Sequence, residues 1–409
     1  MVLVLVLPWT LYIPAVQRVA KDYACDYASK KTGLAVKMDR VLLKFPLSVS
    51  MDGFSVLDQA RDTMLRVANL TTGVEVLPML HSDFKIGSAR LTHGYYRMVS
   101  EDSAMCLTAD IDHCVLMGTD LDLNHRVVNV VAGEMSGGRI QYAGYPDRKK
   151  EKPDSDTAAA KPWRVNAIKF TLRDVDFTMR QLPTIDKMHA HVGYARLLDG
   201  RVNTGDCTVD VRSLSVDKVK CSYYAMSARD AALYERLHPT PVDTSKSQPW
   251  AVRADTLRVH HLDYNMQMLP TIDVLKATVV NALLVEGEVN TEIQNVTVSR
   301  LAVDSLDARY FTPTEKVAAA TAVPQAWTLQ AAPTPTPDTG PWTVTCDTLQ
   351  LSGSHALYAT SRHKAVKGLD PSYIEVSNVN LAVHNLYNRG TTVSVPAIPQ
   401  GQGAMWHRD

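Results

Sequence analysis

Six cysteines and thirteen histidines are the side chains from which metal or nucleophilic chemistry could be built in this 409-residue sequence. Cys25, Cys106, Cys114, Cys207, Cys221 and Cys346 form no C-x-x-C pair, and none has a histidine at metal-ligand spacing, so no zinc site is expected. They read as small core hydrophobes, although Cys106 and Cys114 could pair in an oxidising compartment. His260 and His261 are adjacent in a strand-like stretch, where side chains point to opposite faces, so they make a poor metal pair. No Walker or dinucleotide motif is present. No Ser/His/Asp or paired-carboxylate arrangement is legible either. The sequence therefore reads as a non-enzyme that needs no cofactor. Acidic and basic residues balance at 43 each, so no net field would draw the chain to nucleic acid.

What the sequence offers instead is apolar alternation. Valine stands beside Thr, Asp, Arg and Ser rather than in Glu/Lys/Ala runs, which is strand chemistry. A long stretch repeats: KPWRVNAIKFTLRDVDFTMRQLPTID returns as QPWAVRADTLRVHHLDYNMQMLPTID, with Trp163 and Trp250 separated by 87 residues. ARLLDGRVNT and ALLVEGEVNT keep the same offset without a gap, and a third copy opens at Pro341-Trp342. Apolar residues recur at every second position, as in Trp163, Val165, Ala167, then Ile168, Phe170, Leu172, then Val175, Phe177, Met179. The slip between Ala167 and Ile168 predicts a bulge or bend. Val165, Phe170, Leu172 and Phe177 in one copy, and Val252, Leu257, Val259 and Tyr264 in the next, are the candidate apolar-face residues. Trp163, Trp250 and Trp342 read as core anchors at the repeat starts. Asp52-Gly53, Thr72-Gly73 and His93-Gly94 read as turns that break the alternation. The apolar face must pack on a second sheet, as in a sandwich or solenoid, or curl into a trough, and alternation alone leaves both open.

The elements that position these faces follow in order. Residues 1–16, MVLVLVLPWTLYIPAV, carry no charge. At ~1.5 Å per residue a helix here reaches about 24 Å, short of a ~30 Å hydrocarbon core. Either this is the latter part of a membrane helix, anchored by Leu3, Leu5, Leu7, Trp9, Leu11 and Tyr12, or it is a buried strand; Trp9 and Tyr12 suit a membrane interface. Residues 17–32 have helical spacing, with Val16, Val19, Ala20, Tyr23, Ala24, Tyr27 and Ala28 in one stripe, and are expected to cap the sheet. A first β segment covers 33–147. Repeats cover 162–235, 249–311 and, incompletely, 341–395. Polar Pro/Ala/Thr-rich loops occupy 148–161, 236–248 and 312–340, and an irregular tail closes the chain at 396–409.

The stretch VQRVAKDYACDYASKKTGLAVKMDRVLLKFPLSVSMDGFSVLD resembles the opening of Bacteroidota members of the translocation and assembly module family, TamB. ARDTMLRVANLTTGVEVLPMLHSDFKIGSARLTHGYYRM and GLDPSYIEVSNVNLAVHNLYNRG are similar to later elements of that family, and the likeness extends from about Tyr12 to Gly390. The family's C-terminal domain has no counterpart here, which suggests a fragment missing both ends. The resemblance implies a mainly β fold: an elongated, taco-like groove of antiparallel strands behind a membrane helix and a short amphipathic helix. It implies an inner-membrane anchor, a periplasmic span and phospholipid carried along the groove toward the outer membrane. Alternatively it implies assembly of outer-membrane barrels with an insertase partner of the TamA or BamA type. A membrane-anchored structural β-solenoid is the third expectation.

Overall fold

The structure is a computed structural model that describes residues 13–44, 48–58, 60–74, 85–100, 104–122, 125–145, 162–182, 185–238, 249–268, 272–312, 342–360, 368, 370–389, 392–394 and 397–406. The proposed anchor side chains Leu3, Leu5, Leu7, Trp9, Leu11 and Tyr12 lie outside them, as does most of each polar loop. The protein is mainly β. Its contacts divide it into two compact units, one of Met1–Ala143, Lys152–Phe177 and Arg196–Gly205, the other of Gly144–Glu151, Thr178–Ala195 and Asp206–Asp409.

In the first unit helix α1 (Pro14–Thr32) starts with proline in its first turn and ends at Gly33. Gly33 adopts φ 72°, and its N–H is donated to the Ser29 carbonyl. This is the left-handed stop that glycine permits. Strands β1 (Ala35–Lys37) and β2 (Arg40–Lys44) lie one after the other along β3 (Ser48–Leu57). An antiparallel meander continues through β4 (Thr63–Val74), β5 (Lys85–Val99) and β6 (Met105–Asp122). Beyond it stand β7 (Val127–Gly144) and most of β8 (Arg164–Gln181), whereas β9 (Ile185–Asn203) is divided between the two units. Arg164 N–H donates to the Arg126 carbonyl and Asn166 to the Asn129 side chain, so β7 and β8 advance together as parallel neighbours.

In the second unit β10 (Thr208–Ala225) pairs in parallel with β11 (Ala251–Met268). β11, β12 (Ile272–Asn290) and β13 (Asn295–Thr312) are antiparallel. β13 is parallel to β14 (Thr343–Thr360), and β14 is antiparallel to β15 (Tyr373–Arg389). The expectation of an all-antiparallel array is thus corrected. Each 87-residue repeat holds three strands, so a hairpin would start the next repeat in the reverse direction. The chain instead returns to the same end of the sheet and restarts in parallel. Parallel neighbours cannot be joined by a two-residue turn, and the polar stretches fall at these junctions. At the end of the third repeat β16 (Thr392–Ser394) pairs with β15, and the segment expected to be an irregular tail pairs with it too, as β17 (Ala397–Trp406). Helix α2 (Ala228–Leu237), which strand periodicity did not indicate, is capped by Ser227, whose hydroxyl accepts from Asp230 N–H.

The long strands are bent rather than interrupted. Asp52-Gly53, Thr72-Gly73 and His93-Gly94 are not turns: they sit inside β3, β4 and β5. Gly53 and His93 adopt φ of 61° and 47°. The same left-handed conformation recurs at repeat-equivalent places: Asp174 and His261, Asp199 and Glu286, Lys218 and Ser305. Pairing lapses in a line at Arg212, Asp255, Glu286, Ser299 and Asp347, and again at Lys218, His261, Val280 and Ser305. Two lines of bends therefore cross the strands of the second unit. Each inserts one residue into the alternation, which is the slip legible around Ala167 and Ile168. Ile168 itself is 57% exposed; the bend turns it outward, away from the apolar face expected of it.

The sandwich alternative meets no support. Only thirteen apolar side chains are buried among the described residues. A second sheet would bury one entire face of every strand. Cys106 and Cys114 stand eight positions apart on the single strand β6, about 26 Å at ~3.3 Å per residue, so they cannot form a disulfide. All six cysteines are free thiols.

Candidate functional site

The apolar residues of the repeats align into ladders. In the second unit Leu257 pairs with Leu214 and Leu284, which continues to Leu301, Leu349 and Val383. Val259 pairs with Val216 and Ala282, and the row runs on through Val303 and Leu351 to Leu381. Val252 belongs to a row Val209, Val289, Val296, Val344. Tyr264 belongs to a row Cys221, Ala277, Ala308, Ala356, Val376. Directly paired residues share a face, so each candidate of β11 heads an apolar row that crosses five or six strands. At ~4.8 Å per strand a six-strand row is about 24 Å wide.

Leu257, Val259 and Tyr264 are half-buried, whereas Val252 is exposed. In the first unit Val165, Phe170, Leu172 and Phe177 of β8 are all half-buried. The Phe170 ring lies against Gly133, beside Leu116, so the missing Cβ is what lets the ring settle on the neighbouring strand. The bends hold the rows on one face. A Cβ at Gly287 would stand 2.6 Å from Leu284 Cδ2 across the left-handed Glu286, and Gly200 and Gly94 stand 2.7 Å from Leu197 and Leu91 in the same way. Residues three apart therefore share the apolar side, and at these bends the leucine leans over the glycine. Sequence reasoning missed this Leu-x-x-Gly device, although LTHG, LLDG and LVEG spell it out. It also left Leu284, Leu301 and Leu349 unnamed.

The apolar rows have matching electrostatics. Burial pushes the Cys221 thiol and the Tyr264 phenol above their ordinary values, as low-dielectric surroundings do to groups that would become anions. The Tyr264 hydroxyl donates to Met266 Sδ at 3.3 Å.

The opposite face is polar. His260 lies 2.8 Å from Asn281 Oδ1, Asn281 donates to Asp304, and Ser352 donates to Asp304. These donors hold the Asp304 carboxyl below its usual range. A cavity of about 1040 Å³ opens here between Arg258, His260, Asp304, Gln350 and Ser352, with Leu283 and Ala302 beside them. Its lining also takes in Ala282, Val303, Leu351 and Leu381 of the Val259 row, and His260, Asn281, Asp304 and Ser352 are engaged with one another. His261 Nδ1 contacts Asp217 instead, at 2.9 Å, so the two adjacent histidines turn toward different strands. Among the described residues no group of three His, Cys, Asp or Glu could hold a metal ion.

The tryptophans are not core anchors. Trp163, Trp250 and Trp342 are 37%, 38% and 42% exposed. They stand at the strand starts, where no neighbouring layer covers them. Their backbones do the fastening: Trp163 N–H donates to Thr204 Oγ1 at 2.8 Å, and Trp250 N–H to Thr291 Oγ1 at 2.7 Å. No helix among the described residues is long and apolar enough to cross a membrane. Compared with family models, with curated proteins and with solved structures, the chain matches none.

Proposed function

We propose that this protein is an inner-membrane-anchored bridge in the periplasm that conducts phospholipid toward the outer membrane along its apolar face. The observation that carries the reading is the run of apolar rows across β10 to β15, half-buried and uncovered by a second layer. Two acyl chains hold roughly 30 methylenes, and at ~0.8 kcal/mol each their exposure to water costs on the order of 24 kcal/mol. Isolated pockets cannot offset that along a path. A row that hands an acyl chain from Leu257 to Leu284 to Leu301 offsets it at every strand. The groove needs no nucleotide or cofactor for this; direction would come from the two membranes it joins.

The test is photo-crosslinking of the full chain carrying benzoylphenylalanine at Phe170 or Val259, with Arg258 on the opposite face as control. Phospholipid adducts at the first two positions and few at the third are expected. Absence of adducts together with absence of co-purified phospholipid overturns the reading. Capture of a barrel insertase, with porins lost on deletion while lipid transport stays normal, would favour a barrel-assembly role instead. A Leu257→Asp/Leu284→Asp variant should lose most bound lipid. Its melting temperature should fall only modestly, since both side chains are half-exposed already.

A further inference from the structure

Among the described residues of the first unit, the most exposed apolar cluster is not on the sheet but on α1. Val16, Val19, Tyr23 and Tyr27 are 38%, 69%, 72% and 55% exposed, and Ile13 just before the helix is 47% exposed. Their spacing of three and four places them on one stripe. The stripe was expected to cap the sheet, but a different face does so. Gln17, Lys21, Cys25, Ala28 and Ser29 are the half-buried positions. Ser29 Oγ accepts from Val36 N–H at 3.0 Å, burial raises the Cys25 thiol, and α1 contacts β1 and β2. The helix is thus held by its polar face and displays its apolar one. Tyr23 and Tyr27 stack with ring centroids 6.3 Å apart, making a continuous aromatic ridge that stays largely exposed.

We infer that this ridge lies on the surface of an anionic lipid bilayer, with Val19, Tyr23 and Tyr27 in the headgroup region. Two further features choose this occupant over a protein. The stripe continues the uncharged run of residues 1–16, so the sequence leads directly from its most lipid-like segment into the exposed ridge. Arg18, Lys21, Lys30 and Lys31 outnumber Asp22 and Asp26 on the helix, a net positive charge that anionic headgroups attract. Tyrosine, with an apolar ring and a polar tip, suits that depth. Lying in the plane of the bilayer, α1 would hold β1 and β2 against the membrane face at a fixed attitude. This inference rests on the helix alone and stands whether or not the β face carries lipid.

The test places benzoylphenylalanine at Val19, Tyr23 or Tyr27 of the full chain, with Arg18 and Asp22 as off-stripe controls, in vesicles containing phosphatidylglycerol. Lipid adducts several-fold above the controls are expected at all three stripe positions, and a weaker excess in pure phosphatidylcholine. A Tyr23→Asp/Tyr27→Asp variant should lose vesicle-induced amide protection over residues 14–31 while β3 and β4 keep theirs, which separates lost docking from lost folding. Equal labelling at Tyr23 and Asp22, or a protein adduct at Tyr23 in place of lipid, overturns the inference. Labelling at Phe170 and Val259 reports on the lipid path separately, so either idea can fail alone.

Discussion

The meander β3–β7 and the repeats β8–β13 bend their strands at corresponding lines but with different residues. In the meander three of the four left-handed strand positions are glycine, at Gly53, Gly118 and Gly137, with His93 the fourth. In the repeats all six are other residues: Asp174, Asp199, Lys218, His261, Glu286 and Ser305. A left-handed L-residue costs roughly 1–2 kcal/mol, so the bends are set by the sheet and not by local preference. The two regions differ in what the position is used for. The glycines make room for a neighbour: a Cβ at Gly118 would lie 2.8 Å from Val131 Cγ2, and Gly137 and Gly53 stand against Asp112 and Asp39. The repeat residues reach across strands instead. His261 pairs with Asp217 and Glu286 accepts from Ser299 at 2.9 Å, whereas Ser305 donates to Asp304 beside it on its own strand.

Three substitutions probe that contrast. Gly118→Val combines left-handed strain with overpacking against Val131 and should destabilise the first unit by about 2–4 kcal/mol in urea unfolding. A loss below about 1 kcal/mol would mean that the bend tolerates side chains in both regions. Glu286→Gly should act in the opposite sense, raising stability by about 0.5 kcal/mol as the strain is relieved and an exposed hydrogen bond is lost. Destabilisation would show that the side chain earns its place at the bend. The smallest effect concerns pH. His355 bridges the strands beside it, with Nδ1 3.0 Å from Asp307 and Nε2 3.0 Å from Glu375. The hydrogen bond to Asp307, then that to Glu375, raises the imidazole above its ordinary value. Its contribution is therefore complete below the unfolded pKa and is lost as pH rises through the folded one. Asp307 is lowered, first by its hydrogen bond to Arg309; Glu375 is lowered, first by that to Tyr373. Their contributions hold above the unfolded carboxylate pKa and fade as pH falls through the folded values. His355→Gln should flatten the melting profile of the second unit over roughly pH 6 to 8 and leave its acid limb in place.

Strand content, the repeat and the apolar face were legible because β-branched alternation and an ungapped 87-residue offset are local signals. That Leu257 and Val259 share a face followed from parity alone, as their paired rows show. Parallel junctions were not legible, since strand direction depends on how many strands a repeat holds, and bends hid one strand boundary in another. Asp52-Gly53 and His93-Gly94 read as turns because glycine after a polar residue is turn chemistry; only hydrogen bonds on both sides distinguish a bend within a strand. The tryptophans misled for a similar reason. Large aromatics suggest a core, but at a strand start in a single sheet there is no second layer to receive them. Helix α2 was hidden at the end of a stretch read as strand repeat, although S-A-R-D at 227–230 carries its cap.

The odd number of strands per repeat fixes how such a protein can change in size. Every repeat begins at the same end of the sheet and presents the same face, so removing or duplicating one whole 87-residue block leaves the remaining rows aligned. Removing a single strand would reverse the direction of all that follow and break the parallel junction. Reach can therefore be adjusted only in steps of three strands, about 14 Å each at ~4.8 Å per strand.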